Sequence, residues 1–188
     1  MENNIMPTTI ITGSTSGIGL EVAKELAKNN HRLILVSRNM DKLEFTKRIL
    51  GSGNNIDCDI YEHDLSLISE NINFYKKVSK KYEGIDFLVN NVGAIFMNRE
   101  ETSEGLEKTF SLNHMSYFVL SKLFSQQESP LRIINVSSEA HRNIKLDCDD
   151  LENKKNYNGW YSYKKSKLAN IYLTYEHHKR LLQTKSTV

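Results

Sequence analysis

The chain has 188 residues, and its 25 Lys and Arg residues nearly balance 23 Asp and Glu residues, for a formal net charge of +2. This balance gives no electrostatic reason to expect nucleic acid or an acidic surface as a partner. The first residues, Met1-Glu2-Asn3-Asn4, lack a leader profile, and no apolar run approaches the ~20 residues that span a bilayer, so no membrane anchor is predicted.

Strand-like and helix-like patterns alternate along the chain. Strands are predicted at residues 8–12, 33–36, 56–60, 85–89 and 131–136, and helices at about 18–27, 41–50, 66–80 with Ser66 as cap, 103–126 and 160–182. Parallel neighbouring strands need crossovers, which are usually helices. The alternation therefore predicts an α/β fold, a Rossmann-type doubly wound parallel sheet with helices on both faces, whose ligands bind beyond the carboxyl ends of the strands.

The length of the chain and its cysteine content indicate the number of domains and the cellular compartment. The length fits one domain over residues 1–188, which can bury a core without a disulfide or a metal. Two cysteines, Cys58 and Cys148, lie far apart with no second thiol or His at ligand spacing. They are typical of ordinary thiols in a reducing compartment, so we expect a cytoplasmic protein without a metal site.

The first strand runs into a glycine motif, Thr12-Gly13-Ser14-Thr15-Ser16-Gly17-Ile18-Gly19, and then into a helix. Glycines let the backbone turn tightly and approach a pyrophosphate, whose charge meets the free N–H groups at the helix start. Ser14 and Ser16 add hydroxyl donors. A loop that merely turns the chain is the plainer interpretation, and the spacing is looser than the dinucleotide fingerprint G-x-G-x-x-G.

The end of the second strand indicates which dinucleotide is preferred. An NAD site places an acid there for the ribose 2′-hydroxyl, whereas an Arg accommodates the 2′-phosphate of NADP. Here the strand ends Val36-Ser37-Arg38-Asn39, without a carboxylate. A guanidinium pairs well with phosphate, so NADP(H) is favoured over NAD(H). The alternative is that Arg38 is a solvated surface charge.

With the motifs further along, these residues closely resemble the short-chain dehydrogenase/reductase family, and within it the retinol-dehydrogenase-like group. The motifs follow the family's order from Thr8 onward: the glycine motif, Asp64-Leu65, Asn90-Asn91-Val92-Gly93, Asn113-His114, Asn135 to His141 with Ser138, and Tyr163 with Lys167 before Leu168-Ala169-Asn170. Val92 departs from the family, which usually carries Ala there.

The resemblance implies a role for each motif. It implies that Asp64 and Leu65 contact adenine, that Asn91 and Gly93 line the ribose, and that Asn113, Ser138, Tyr163 and Lys167 form a catalytic tetrad, with Tyr163 and Lys167 also touching the cofactor. The remaining predicted cofactor-binding residues are those of the glycine motif and the end of the second strand: Gly13, Ser14, Ser16, Gly17, Ile18, Gly19 and Arg38. A phenol of ordinary pKa ~10 needs ~4 kcal/mol of preference for its ionised form to act near pH 7. One ammonium ~4 Å away, at an effective dielectric of ~20, supplies about that much.

Several alternatives accompany these roles. Three Tyr-x-x-x-Lys pairs occur, Tyr161/Lys165, Tyr163/Lys167 and Tyr175/Lys179, and the Ser-Lys-Leu-Ala-Asn context selects the second. Ser138 can simply turn the chain, whereas the resemblance makes it a donor to the substrate carbonyl. Asn113 is a poor helix former, and the resemblance gives it a kinking, water-holding role in a proton relay. His114 and His141 lack an acid or thiol that would complete a metal set, so we interpret them as structural or surface residues.

The end of the chain supports a second hypothesis. Residues 185–188 look like the opening of a sixth strand, and relative to the family the last strands and the substrate-covering helices are absent, which predicts a truncated chain with strand five at an exposed edge. Two functions are therefore weighed: an NADP-dependent oxidoreductase acting on a small-molecule carbonyl or alcohol, and an inactive remnant that binds cofactor or a partner. A homodimer through the long helices is left open. A flavodoxin-like or methyltransferase domain would require the motifs to be accidental.

Overall fold

The computed structural model describes residues 6–52, 56–182 and 185–188. Its strands are β1 (Thr8–Thr12), β2 (Arg32–Ser37), β3 (Cys58–Glu62), β4 (Phe87–Asn90) and β5 (Arg132–Asn135), and its helices are α1 (Gly17–Lys28), α2 (Met40–Gly51), α3 (Ile68–Lys81), α4 (Lys108–Phe110), α5 (Ser116–Phe124) and α6 (Gly159–Leu181). A π-helical stretch, Ser111–Met115, joins α4 to α5, and a 3-10 turn, Glu139–His141, follows β5.

The five strands form one parallel sheet in the order β3-β2-β1-β4-β5. The chain starts at the centre, extends to one edge through β2 and β3, and then returns to build the other half. The predicted Rossmann-type doubly wound sheet is thus confirmed. The order reverses between β1 and β4, and this switch point is where such sheets open a crevice for a ligand.

Alternation along the strands builds a core on each face of the sheet. Ile10, Ile34 and Leu88 belong to one fully buried cluster, which includes Phe74 of α3 and Leu120 of α5. Their neighbours in sequence point to the opposite face, as the period of two requires. There Ile11, Leu33 and Leu35 pack with Ala23 of α1 and Leu43 of α2.

Two predicted helix starts are wrong. The structure begins α3 at Ile68, and its cap is the distant Glu104, whose carboxylate accepts from the backbone N–H of Ile68 and of Ser69 at 3.0 Å. Ser66 instead donates its hydroxyl to Asp64. The helix predicted from residue 103 starts only at 108, because residues 101 and 107 form an antiparallel bridge that closes a turn between them.

Close packing places the start of α6 against the loop after β4. Asn158 caps this helix by accepting from the N–H of Tyr161 at 2.9 Å. A Cβ on Gly159 would lie 2.4 Å from the carbonyl oxygen of Phe96, so only glycine allows this approach. In the described part of the chain, no helix has both the length and the apolar character needed to cross a membrane.

Residues 185–188 lie beside β5. Thr187 pairs with Arg132 in a parallel bridge, and its carbonyl oxygen accepts from the N–H of Ile133 at 2.8 Å. This pairing agrees with the predicted opening of a sixth strand and covers the edge of β5 at that point.

Candidate functional site

A cleft of about 420 Å³ lies at the carboxyl ends of the strands, where the strand order reverses. Its lining includes Gly13, Thr15, Ser16, Gly17, Ile18, Ser37, Arg38, Asn39, Lys42, His63, Asp64, Leu65, Ser66, Asn91, Val92, Gly93, Ala94, Phe96, Lys108 and Leu112. Most of the residues predicted to bind a cofactor therefore share one surface. We call it the nucleotide cleft.

Two glycines of the loop, Gly13 and Gly19, lie where a side chain would clash with the protein's own backbone. Gly13 has a φ of +66°, and a Cβ there would lie 2.9 Å from the Cα of Val92. A Cβ on Gly19 would lie 2.4 Å from the carbonyl oxygen of Gly13. Because Gly19 is buried and does not line the cleft, it contributes by letting α1 approach the loop.

The hydroxyl groups of this loop are arranged differently from the prediction. Ser14 is fully buried, does not line the cleft, and has no hydrogen-bond partner for its Oγ among the described residues. Thr15 lines the cleft instead, with its Oγ1 3.4 Å from Ser37 Oγ. Ser16 precedes α1 without a side-chain cap, which leaves the first N–H groups of the helix available to an anion.

Two cations lie where β2 ends. Arg38 and Lys42 are exposed, line the cleft, and form neither ion pairs nor side-chain hydrogen bonds with the residues that the structure describes. Asn39 starts α2 by accepting from the N–H of Lys42 at 2.8 Å. Lys42 was not among the site residues predicted from the sequence, although its position in the first turn of the helix that follows Arg38 is a signal for it.

The far end of the cleft is bordered by β3. Asp64 accepts from the backbone N–H and the hydroxyl of Ser66, at 3.0 and 2.8 Å. His63 also lines the cleft without having been predicted from the sequence; its Nδ1 lies 2.5 Å from Glu70 and its Nε2 lies 3.3 Å from Lys77 Nζ. Since an ammonium only donates, Nε2 accepts and the ring proton lies on Nδ1. This arrangement fixes the residue that precedes Asp64.

The loop after β4 connects the cleft to the predicted catalytic residues. Asn91 donates its Nδ2 to the carbonyl oxygens of Thr12 and Gly13, at 2.9 and 3.2 Å, and so ties the loop to the glycine motif. A Cβ on Gly93 would lie 3.3 Å from Asn113 Oδ1 and 3.5 Å from Lys167 Nζ. The catalytic candidates therefore adjoin the Gly93 end of the cleft.

Lys167 is a buried ammonium beside two phenol rings. Its side chain is 3% exposed, and Nζ donates to the carbonyl oxygen of Val136 at 3.0 Å. Nζ lies 5.7 Å from the centre of the Tyr163 ring and 5.4 Å from that of Tyr117. Burial lowers the pKa of Lys167 to about 8. No acidic side chain of the described residues lies within ion-pair distance.

A second Tyr-Lys pair on the same helix has similar geometry and different surroundings. Lys165 Nζ lies 5.8 Å from the centre of the Tyr161 ring, but it donates to Asn153 Oδ1 and to the carbonyl of Asp150. Tyr161 and Lys165 line a separate, open depression of about 600 Å³ that contains none of the predicted site residues. Spacing alone therefore does not identify a site.

Ser138 and Asn113 both make structural contacts. Ser138 Oγ accepts from the N–H of Ala140 at 3.2 Å and caps the 3-10 turn. Its neighbour Ser137 donates to the carbonyl of Lys167 at 2.9 Å, which ties this segment to α6. Asn113 is fully buried in the π-helical stretch, and its Oδ1 accepts from the N–H of Ala94 at 2.9 Å.

The two histidines of the motifs have partners within the protein. His114 Nδ1 lies 2.9 Å from Asn170 Oδ1, and His141 Nδ1 lies 2.6 Å from the carbonyl oxygen of Ser138. Among the described residues, no group of three or more His, Cys, Asp or Glu side chains is placed to hold a metal ion.

Comparison with known proteins gives consistent matches. A family model described as short chain dehydrogenase matches residues 7–188. Human retinol dehydrogenase 13 is 36% identical over 186 residues, which cover 96% of this chain and 56% of that protein. Human retinol dehydrogenase 11 is 34% identical over 176 residues, covering 92% of this chain and 55% of that protein. The chain thus spans just over half the length of these relatives.

Among solved structures, the Pseudomonas aeruginosa RhlG/NADP active-site complex superposes with a TM-score of 0.77. The match covers 97% of this chain and 70% of that one, at 23% identity. At this identity the likeness concerns the fold.

Proposed function

Because the chain belongs to the short-chain dehydrogenase family, in its retinol-dehydrogenase-like group, we propose that it is an oxidoreductase that transfers hydride between a nicotinamide dinucleotide and a small-molecule carbonyl or alcohol. One observation carries the proposal. The nucleotide cleft runs from the exposed cations Arg38 and Lys42 to Gly93, directly beside the Lys167 ammonium.

The residues of the cleft fit a dinucleotide. Gly13 turns the loop at a φ of +66° and lines the cleft, and Gly19 lets α1 approach this loop. The uncapped start of α1 presents N–H groups to a pyrophosphate. Leu65 offers an apolar wall for a base, and Asn91 holds the loop that faces the ribose. When bound, the nicotinamide supplies or accepts the hydride.

We propose NADP(H) as the preferred cofactor. A 2′-phosphate needs positive charge at the end of β2, and the two cations there have no other partner in the described part of the chain. Asp64, a carboxylate in the same cleft, is held by Ser66. The RhlG structure, a complex with NADP on the same fold, is consistent with this preference.

Tyr163 is the proposed general acid and base. In reduction its hydroxyl proton moves to the oxygen that becomes an alkoxide as the carbonyl carbon accepts hydride, and in oxidation the proton returns. Lys167 favours the resulting phenolate. Its Nζ lies 5.7 Å from the centre of the Tyr163 ring, and a positive charge beside the ring stabilises the ionised form of the phenol.

Ser138 and Asn113 complete the proposed tetrad. Ser138 Oγ already accepts from Ala140, so its remaining hydroxyl proton is the part of the group that can donate to the substrate oxygen. Asn113 holds Ala94, and so keeps Gly93 against Lys167. These four roles are proposed on the family resemblance and on this geometry.

A second candidate, cofactor or partner binding without catalysis, is favoured by a different observation. The residues on the substrate side are open: Trp160, whose ring centre is 5.7 Å from that of Tyr163, is 55% exposed, and Met97 is 70% exposed.

Binding and turnover measured together separate the two candidates. Titration with NADPH and NADH can be followed by the fluorescence of Trp160, the single tryptophan. Oxidation of NADPH is then measured with a panel of aldehydes and ketones. Binding with turnover is expected, and binding without turnover on any carbonyl supports the second candidate. Absence of nicotinamide binding contradicts the oxidoreductase and the cofactor-binding form of the second candidate, and leaves only partner binding.

We keep a reducing, cytoplasmic compartment as a proposal. It is supported by the free thiols of Cys58, which is buried, and Cys148, which is exposed. Fractionation of the producing cells tests it, and recovery in a membrane fraction would contradict it.

A further inference from the structure

The π-helical stretch Ser111–Met115 is fixed to its surroundings by two buried side-chain amides. The first is Asn113, which exchanges hydrogen bonds with Ala94 through both side-chain ends, each at 2.9 Å. Its Nδ2 also donates to Ser166 Oγ at 3.1 Å, and Ser166 donates to the carbonyl of Tyr163 at 2.7 Å. One amide thus connects the loop after β4 to the backbone of Tyr163.

The second amide approaches from the opposite side. Asn170 of α6 is fully buried and donates its Nδ2 to the backbone carbonyl of Asn113 at 2.8 Å. Asn is a poor helix former, so its place in the middle of α6 has to be explained by a tertiary contact. A π turn interrupts the regular ladder of backbone bonds, and this carbonyl receives its donor from Asn170.

His114 determines which way the Asn170 amide points. Its Nδ1 lies 2.9 Å from Asn170 Oδ1, and its ring packs 5.0 Å from that of Phe110. A flipped amide would place Oδ1 against the carbonyl of Asn113, where two acceptors repel. Burial, only partly offset by the bond to Asn170, lowers the pKa of His114, so the ring stays neutral and its single proton lies on Nδ1.

The contacts of these two amides fall on one stripe of α6. Tyr163, Ser166, Lys167 and Asn170 occupy positions i, i+3, i+4 and i+7 of α6, which lie on one face of a helix, and Ser166 and Asn170 bind Asn113 of the π-helical stretch. We propose that Asn170, oriented by His114, is a positioning residue that sets the register of α6 and thereby places Tyr163 and Lys167 beside the nucleotide cleft. The proposal rests on the oxidoreductase function proposed above.

Asn170→Asp tests the register with a side chain of the same shape. The variant keeps an oxygen toward His114 but turns a second acceptor toward the carbonyl of Asn113. We expect kcat to fall about tenfold to hundredfold, the effect of a small misplacement of reacting groups. The dissociation constant of NADPH is expected to change less than about twofold, because the side chain of Asn170 forms hydrogen bonds with His114 and Asn113, neither of which lines the cleft.

Two further variants separate positioning from general loss of stability. His114→Phe keeps the aromatic packing and removes the donor, so a smaller fall in kcat is expected, and its effect should not multiply with that of Asn170→Asp. Thr174→Val is the matched control one turn along α6, where the hydroxyl donates to the carbonyl of Asn170 and accepts from Asn135. It should retain the kcat of the parent.

Unchanged kcat in both folded Asn170→Asp and His114→Phe would overturn the positioning role while leaving the proposed function intact. If Asn170→Asp does not fold, His114→Phe decides alone. A nitrogen-15 histidine spectrum of the parent supplies a readout that needs no turnover. A proton on Nδ1 of His114 supports the arrangement and a proton on Nε2 overturns it. A parent that binds NADPH but reduces no carbonyl contradicts the proposed function instead.

Discussion

Replacing Lys167 with Met is expected to abolish turnover and to remove a pH-dependent penalty on folding. Burial lowers the pKa of Lys167 from 10.5 to about 8. Between these values the unfolded chain binds more protons, so the free energy of unfolding of the parent rises with pH. The penalty is about 3 kcal/mol at pH 7 and falls to about 1 kcal/mol at pH 10.

Urea unfolding of parent and Lys167→Met from pH 7 to pH 10 measures this directly. The difference between their free energies of unfolding should shift by about 2 kcal/mol in favour of the parent over that range. Other titrating groups are common to both proteins and cancel in the difference. Lys42→Met, at an exposed cation, is the control and should show no such shift. A difference that stays constant with pH would refute the assignment of a buried, charged amine.

Three further predictions concern the cleft and its support. Arg38→Asp should lower kcat/KM for NADPH about tenfold to hundredfold, as expected for loss of charged hydrogen bonds, and change that for NADH much less; equal losses would contradict the proposed phosphate contact. Gly19→Ala forces a Cβ to 2.4 Å from the carbonyl oxygen of Gly13, so urea unfolding should show a loss of about 1–3 kcal/mol together with weaker NADPH binding, and parent-like stability would refute the packing. Glu104→Ala removes the cap of α3 and should cost about 1 kcal/mol in the same assay without changing kcat; an unchanged midpoint would contradict the capping role.

The fold followed from the sequence because local pattern and tertiary packing agree. Ile10 and Ile11 point to opposite faces and meet separate cores, as alternation in a buried strand requires. The features that the sequence did not predict depend on contacts between residues that are far apart in the chain. Glu104 caps α3 from 36 residues away, and no local sequence pattern predicts a capping residue at that distance. The π-helical stretch could not be predicted from local sequence either, because the backbone carbonyl of Asn113 accepts its hydrogen bond from Asn170 on another helix.

The candidate site was predictable where a motif determines the conformation of the backbone. Gly13 and Asn91 belong to recognisable motifs, and the structure brings both to the cleft. Ser14 was chosen for its hydroxyl, yet the turn of the loop buries that group and presents Thr15. His63 lines the cleft and is held there by a hydrogen bond with Glu70, seven residues further along the chain. A His and a Glu at this spacing also occur together by chance, so the sequence alone did not predict the contact.

The Tyr163 hydroxyl is the group on which the proposed proton transfer depends most, and a second Tyr-Lys pair in the chain provides a control for it. Tyr163→Phe and Tyr161→Phe each remove one phenol oxygen from a Tyr-Lys pair. The two pairs have nearly equal geometry, with the lysine Nζ 5.7 Å from the ring centre of Tyr163 and 5.8 Å from that of Tyr161. With NADPH and a carbonyl that the parent reduces, Tyr163→Phe should lose about a hundredfold or more in kcat, while Tyr161→Phe should match the parent. Undiminished turnover in Tyr163→Phe would contradict the account.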